Sequence, residues 1–199
     1  MPENAYFCTL KATFFEMTFD EYKQLRAYSW YDSIYLSVVW AASFACFIGS
    51  MTMPLLGMLN TLLMLATPFF VGYRLKIYRK EGRNDQISFK MALLYCFRVF
   101  FNASIIFSIL QWAYMQFLDP NLFSRFWATV IEMPEMKAVL KQAGVSMKEM
   151  TQAMVEITPL QFASSMLIQN LIIGFILSFF IAAVMKKGKT PPPPPRIQG

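Results

Sequence analysis

The chain has 199 residues, 56% apolar and 15% charged, with 20 Phe, 15 Met and a net charge of +6, whereas an ordinary soluble domain is about 45–50% apolar and about 25% charged. Histidine is absent and Cys8, Cys46 and Cys96 lie far apart, which excludes His-based triads, zinc-peptidase motifs and His-ligated haem, and argues against a disulfide framework or a metal cluster. Lipid rather than water is the expected surrounding.

The opening Met-Pro-Glu-Asn has no basic flank, so no cleavable signal is expected and the first apolar run stays in place. Residues 18–31 read as an amphipathic helix. Thr18 and Glu21 match a capping box, and Phe19, Tyr22, Leu25 and Tyr28 recur at helical spacing. Phe14, Phe15, Trp30 and Tyr31 suit a headgroup zone. This stretch either lies on the inner leaflet or extends the first span into the cytoplasm.

From Ser33 to Tyr73 there are 41 residues without Asp, Glu, Lys or Arg, enough for two crossings of about 20 residues each. Pro54, just after Gly49 and Ser50, marks the break, giving spans near 33–51 and 55–73. Uncharged runs at Val99–Leu118 and Ile157–Met185 predict a third span near 95–117 and a fourth near 162–185. Small residues at four-residue spacing, Ser37, Ala41, Ala45 and Gly49 in the first span and Asn170, Gly174, Ser178 and Ala182 in the fourth, read as packing seams. Asn60 and Gln169 are expected to bond to each other between helices.

Between the third and fourth spans, residues 119–160 read as helical. A helix begins at Asp119-Pro120-Asn121, with Leu122, Phe123, Phe126, Trp127, Val130 and Ile131 on one face. A second runs from Pro134 to about Ala143 and stops at Gly144. A third is announced by Ser146 and Glu149 and carries Met147, Met150, Met154 and Ile157 before Pro159. The final 14 residues hold Lys186, Lys187, Lys189, Arg196 and five consecutive prolines, a basic flank followed by a polyproline II spacer.

Charge sets the orientation. Residues 74–90 carry six basic side chains, whereas 119–156 carry four basic and five acidic, so the positive-inside rule puts the 74–90 connection and both termini in the cytoplasm. The organisation is thus a cytoplasmic segment 1–32, a transmembrane domain 33–185 and a cytoplasmic tail 186–199. The fold class is all-α, an integral membrane four-helix bundle with an N-terminal amphipathic helix and a helical extracytoplasmic segment.

No Asp or Glu lies inside any expected span, which argues against ion-coupled transport, a process that uses intramembrane carboxylates. Arg98, with Arg74 and Lys76, marks either a site for an anionic lipid headgroup or arginines snorkelling to the interface. Ser104, Ser108 and Gln111 form a polar stripe on the third span, read as a packing seam or as the lining of a pore between copies. The methionines expected outside the membrane, Met51, Met53, Met133, Met136, Met147, Met150 and Met154, invite a Cu(I) reading, but methionine is also a common filler of adaptable interfaces, and no metal, cofactor or catalytic residue is expected. Membrane topology accounts for the positive charge without nucleic acid.

The chain resembles the domain-of-unknown-function 4199 family of small bacterial inner-membrane proteins. The residues that carry the resemblance are Gly72 through Tyr78-Arg79, Ile87-Ser88-Phe89, Ala92-Leu93, Asp119-Pro120, Gly144-Val145-Ser146 with Glu149 and Ala153, Pro159, and Gly174, Ser178, Ile181, Ala182 and Ala183 closed by Lys186-Lys187. The resemblance spans roughly residues 33–189 and implies four spans with a helical outer segment, in the bacterial inner membrane; it implies no activity and no catalytic residues. Together these readings predict a non-enzymatic scaffold or accessory subunit in envelope or lipid-linked glycan biogenesis, contacting lipid, a membrane-protein partner or further copies of itself. The alternative is an oligomeric transporter or channel for a small solute.

Overall fold

A computed structural model describes residues 18–144, 146, 150 and 157–187. Six helices follow in order: α1 (Phe19–Gly49), α2 (Pro54–Gly82), α3 (Phe89–Ala113), α4 (Leu122–Glu132), α5 (Pro134–Ala143) and α6 (Pro159–Met185). No strand occurs among the described residues; Ile87 and Lys187 form a single antiparallel bridge. Four helices, with α3 counted through Leu118, are long and apolar enough to cross a bilayer. The protein is a multi-pass membrane protein.

Local chemistry sets the helix ends. Thr18 and Glu21 form the expected capping box, with the Thr18 hydroxyl accepting from the Glu21 amide. The helix they start does not stop at residue 32. It runs unbroken for 31 residues, so residues 19–32 extend the first span rather than form a separate helix. Pro54 sits in the first turn of α2, and Thr158 with Gln161 caps α6. α5 ends at Gly144, whose φ of 68° is the left-handed geometry that glycine adopts without a Cβ clash. α3 passes into a π-helical turn at Tyr114–Leu118. The expected helix from Ser146 lies mostly outside the described residues, as do residues 1–17 and the proline run.

α3 is the centre of the bundle, packing along α1 on one side and α6 on the other, while α2 rests mainly on α1. The core is aromatic. Trp40 stacks on Phe100 and meets Phe107 edge-on, Phe44 meets Phe107 and Tyr114, and Phe47 reaches Phe126 on α4. The remaining face of α2 and that of α6 are lined with exposed Leu, Ile, Phe and Met, the surface a lipid environment requires.

Of the two expected small-residue seams, that on α6 is formed. Gly174, Ser178 and Ala182 are buried against α3, where a Cβ on Gly174 would lie 2.8 Å from the Phe100 Cβ. That on α1 is not a single contact face, because Ser37 is buried while Ala45 is exposed. The working face of α1 instead runs through Leu25, Ser29, Ser33, Leu36, Trp40, Ser43 and Phe44.

Candidate functional site

Three sets of polar side chains among the described residues bear on function: a ladder between α1 and α2, a stripe on α3, and Gln169 on the exterior of α6. The ladder occupies every seventh residue of α2. Asn60 Oδ1 accepts from Ser43 Oγ at 2.5 Å, Thr67 Oγ1 accepts from Trp40 Nε1 at 3.2 Å, Arg74 Nε donates to Asp32 Oδ1 at 2.5 Å, and Glu81 Oε2 accepts from Tyr28 OH at 3.3 Å. A seven-residue repeat keeps one face of a helix against its neighbour along their whole length. Asn60 therefore bonds to Ser43 and not, as expected, to Gln169.

Asp32, in the Arg74 rung, is the most buried charged residue among those described. Asp32 is 1% exposed and the Arg74 side chain 24%. Tyr95 on α3 donates its hydroxyl to the second carboxylate oxygen of Asp32, and Arg74 also lies over the Tyr35 ring. Tyr78 stacks flat on Tyr95, 4.9 Å between centroids. Counting carboxylates between charged boundaries placed Asp32 outside the first span; the structure places it inside α1, at the meeting point of three helices. At 1.5 Å per residue it lies about 26 Å from Gly49, and Arg74 about 30 Å from Pro54, so the two side chains meet at one depth. Both carboxylate oxygens are engaged and the guanidinium neutralises the charge. Such a site holds helices in register and offers no free base.

Arg74, Lys76 and Arg98 do not form one basic pocket. Lys76 is two residues from Arg74 and points elsewhere on α2, exposed. Arg98 donates to Tyr22 OH at 2.7 Å, with its guanidinium over the same ring. The basic end is instead fastened to itself. Arg83 pairs with Glu21, Arg79 with Asp85 and with the Met185 carbonyl at the end of α6, and Lys187 with Asp85.

The α3 stripe faces inward. Ser104, Ser108 and Gln111 are 0%, 7% and 5% exposed, and both hydroxyls and the Gln111 carbonyl oxygen lack a hydrogen-bond partner among the described residues. Asn170 on α6 is half-buried. Gln169 stands on the far side of α6 from the Gly174–Ser178 seam, exposed, in a shallow groove with Ser165, Ile168, Ile172 and Ile173. Among the described residues no three His, Cys, Asp or Glu side chains gather in the manner of a metal site. Met147 and Met154 of the methionine face lie outside the described residues.

A family model described as "Protein of unknown function (DUF4199)" matches residues 32–187. The chain belongs to the DUF4199 family. No curated protein and no solved structure matched the chain significantly. The family match begins at Asp32 and ends at Lys187, and so encloses Asp32, Arg74 and Tyr95 together with the Ile87–Lys187 bridge.

Proposed function

We propose that this DUF4199 protein is a non-enzymatic accessory or scaffold subunit of the bacterial inner membrane, with both termini in the cytoplasm, that serves envelope biogenesis by binding a transmembrane helix of another protein. The observation that carries the reading is Gln169. It lies ten residues into α6, about 15 Å from the start of the helix, and its exposed amide faces hydrocarbon without a partner among the described residues. A glutamine there favours a hydrogen bond across helices. Ser165, Ile168, Ile172 and Ile173 surround it at the spacing of a helix-packing seam. Asp32 and Arg74 neutralise each other, with Tyr95 on the second carboxylate oxygen, which supports action through contact rather than chemistry. The charge asymmetry of the connections supports the orientation.

The test is a photo-crosslinking residue at Ile172, with one at Phe69 on the exposed face of α2 as reference. The expected result is one heterologous protein adduct from Ile172, lost in Gln169→Leu at unchanged folded yield. An adduct with a second copy alone, or none, overturns the accessory reading.

One observation favours the second reading, a path for a small solute: the unpartnered atoms of Ser104, Ser108 and Gln111. They sit inside one chain's bundle, which supports a site within the protomer rather than a pore shared by copies.

A further inference from the structure

Four arginines at the basic end are half-buried, and three of them sit on an acid: Arg74 on Asp32, Arg79 on Asp85 and Arg83 on Glu21. Arg98 has no carboxylate partner among the described residues. Its guanidinium lies over the Tyr22 ring and donates from Nη1 to the Tyr22 hydroxyl, a neutral group, while Nε is closed off from solvent without a hydrogen-bond partner. The other acids of this end are placed elsewhere. Glu81 accepts from Tyr28, and Asp20, two residues before Tyr22, is exposed on the opposite side of α1. A partly desolvated charge of this kind calls for an anion from outside the chain.

Depth says where that anion belongs. Leu118 closes the apolar helix begun at Phe89, and Arg98 stands twenty residues before it, about 30 Å along the axis, the thickness of a hydrocarbon core. On α1, Trp30 stands nineteen residues before Gly49, about 29 Å, and is half-exposed. Two helices thus bring an arginine and a tryptophan to one boundary, the level at which tryptophan concentrates. Tyr22 lies about 12 Å beyond Trp30 toward the basic end, so the Arg98 side chain, in reaching it, leaves the hydrocarbon for the headgroup layer.

Arg26 supplies a second cation. It falls one turn from both Tyr22 and Trp30, on the same face of α1, and is exposed. Guanidinium groups pair with phosphate oxygens through two parallel hydrogen bonds, and beyond Trp30 the exposed Ile34 continues this face into the hydrocarbon, where acyl chains run.

We propose that Arg98 and Arg26, with Tyr22 and Trp30, form a headgroup site for an anionic phospholipid in the leaflet at the basic end. The lipid phosphate is the counter-ion that Arg98 lacks within the chain. A zwitterionic lipid carries its own cation to the same place and is disfavoured there. The site stands apart from the helix partner proposed at Gln169, and neither depends on the other.

The test is native mass spectrometry of the full chain released from nanodiscs of phosphatidylcholine containing increasing phosphatidylglycerol, with unfolding temperature as the check on folding. The unsubstituted protein retains one phosphatidylglycerol in preference to phosphatidylcholine. Arg98→Gln weakens that retention about tenfold. Arg26→Gln weakens it about fivefold, the factor equivalent to about 1 kcal/mol for one basic side chain at a membrane surface. Lys76→Gln, which removes an exposed charge at a similar depth on α2, leaves it unchanged. Arg26 is exposed, so its variant tests the site even if Arg98→Gln does not fold. Equal losses in all three variants mean diffuse attraction to the surface and overturn the site. So does equal retention of the two lipids, or a folded Arg98→Gln or Arg26→Gln protein that holds phosphatidylglycerol as before.

Discussion

Asp32 is reached by side chains from two other helices, Arg74 of α2 and Tyr95 of α3, and its carboxylate has almost no access to solvent. Arg74→Leu therefore leaves a buried carboxylate without its counter-charge. Breaking a buried pair costs about 3–5 kcal/mol; the partial exposure of Arg74 puts the expected loss near the lower figure, about 3 kcal/mol. The double variant Asp32→Leu/Arg74→Leu removes both desolvated charges and regains most of that loss, because replacing a whole buried pair by apolar groups is often close to neutral. Reversible unfolding in mixed micelles measures all three proteins, and a double variant no more stable than Arg74→Leu contradicts this account. The pair was legible in outline: Asp32 and Arg74 bound the same charge-free run, and a run folded once at Pro54 returns its two ends to one depth. Reading boundary charges only as topology markers hid that. What the sequence lacked was any sign of Tyr95, whose approach depends on how α3 packs against the hairpin.

Each helix end at the basic side is secured by a neighbour, and the connection between α2 and α3 shows how. Asn84 and Asp85 both adopt positive φ, 49° and 61°, a conformation Asn and Asp accept more readily than other side chains. Asp85 then accepts from Lys187 and Arg79, and Ile87 and Lys187 exchange backbone hydrogen bonds of 3.0 Å each. The hydrogen bond from Lys187 holds the Asp85 carboxyl below its ordinary value; desolvation opposes it, and the charges of Arg79 and Lys187 add to the lowering. The folded value is the lower one, so the fastening is fully present above the ordinary carboxylate range and is lost as pH falls through the depressed value. Amide exchange at Ile87 and Lys187, corrected for intrinsic rates, should show protection at neutral pH that is lost only as the pH falls below the ordinary carboxylate range, through the depressed value. Asp85→Asn keeps the left-handed backbone and removes the charge; its protection should be reduced at neutral pH already, and full protection there would show that the carboxylate does not hold the bridge. Capping residues and prolines made most helix ends legible, including Thr18, Pro54 and Gly144. The union of residues 19–32 with the first span was left open because an amphipathic pattern is the same on a membrane surface and on a helix rising from it. The bridge was not foreseeable, since it joins residues 100 apart through two polar connections.

At the scale of the molecule, counting charge-free runs gave four spans and their order, but not which helix lies at the centre. That depends on two faces: the Gly174–Ser178–Ala182 seam that lets α6 approach α3, and the Asn60–Thr67–Arg74–Glu81 repeat that fixes α2 on α1. The repeat was present in the sequence as a seven-residue period, unnoticed because its members are chemically unlike. Its partners, Ser43, Trp40, Asp32 and Tyr28, descend α1 as the repeat descends α2. The α1–α2 hairpin is therefore joined at four levels, and α2, with little other contact, depends on those rungs for its place. Neighbouring rungs are about 10 Å apart along α2, far enough for their effects to add. Hydrogen bonds between membrane helices are worth about 0.6 kcal/mol on average, so Asn60→Leu and Thr67→Val should each cost about that much and together about 1.2 kcal/mol. Both fall well short of Arg74→Leu. Steric-trap unfolding in bicelles gives the four values. A double variant that loses several times the sum would mean that the rungs form one cooperative unit, and α2 would then leave α1 in a single step rather than loosen rung by rung.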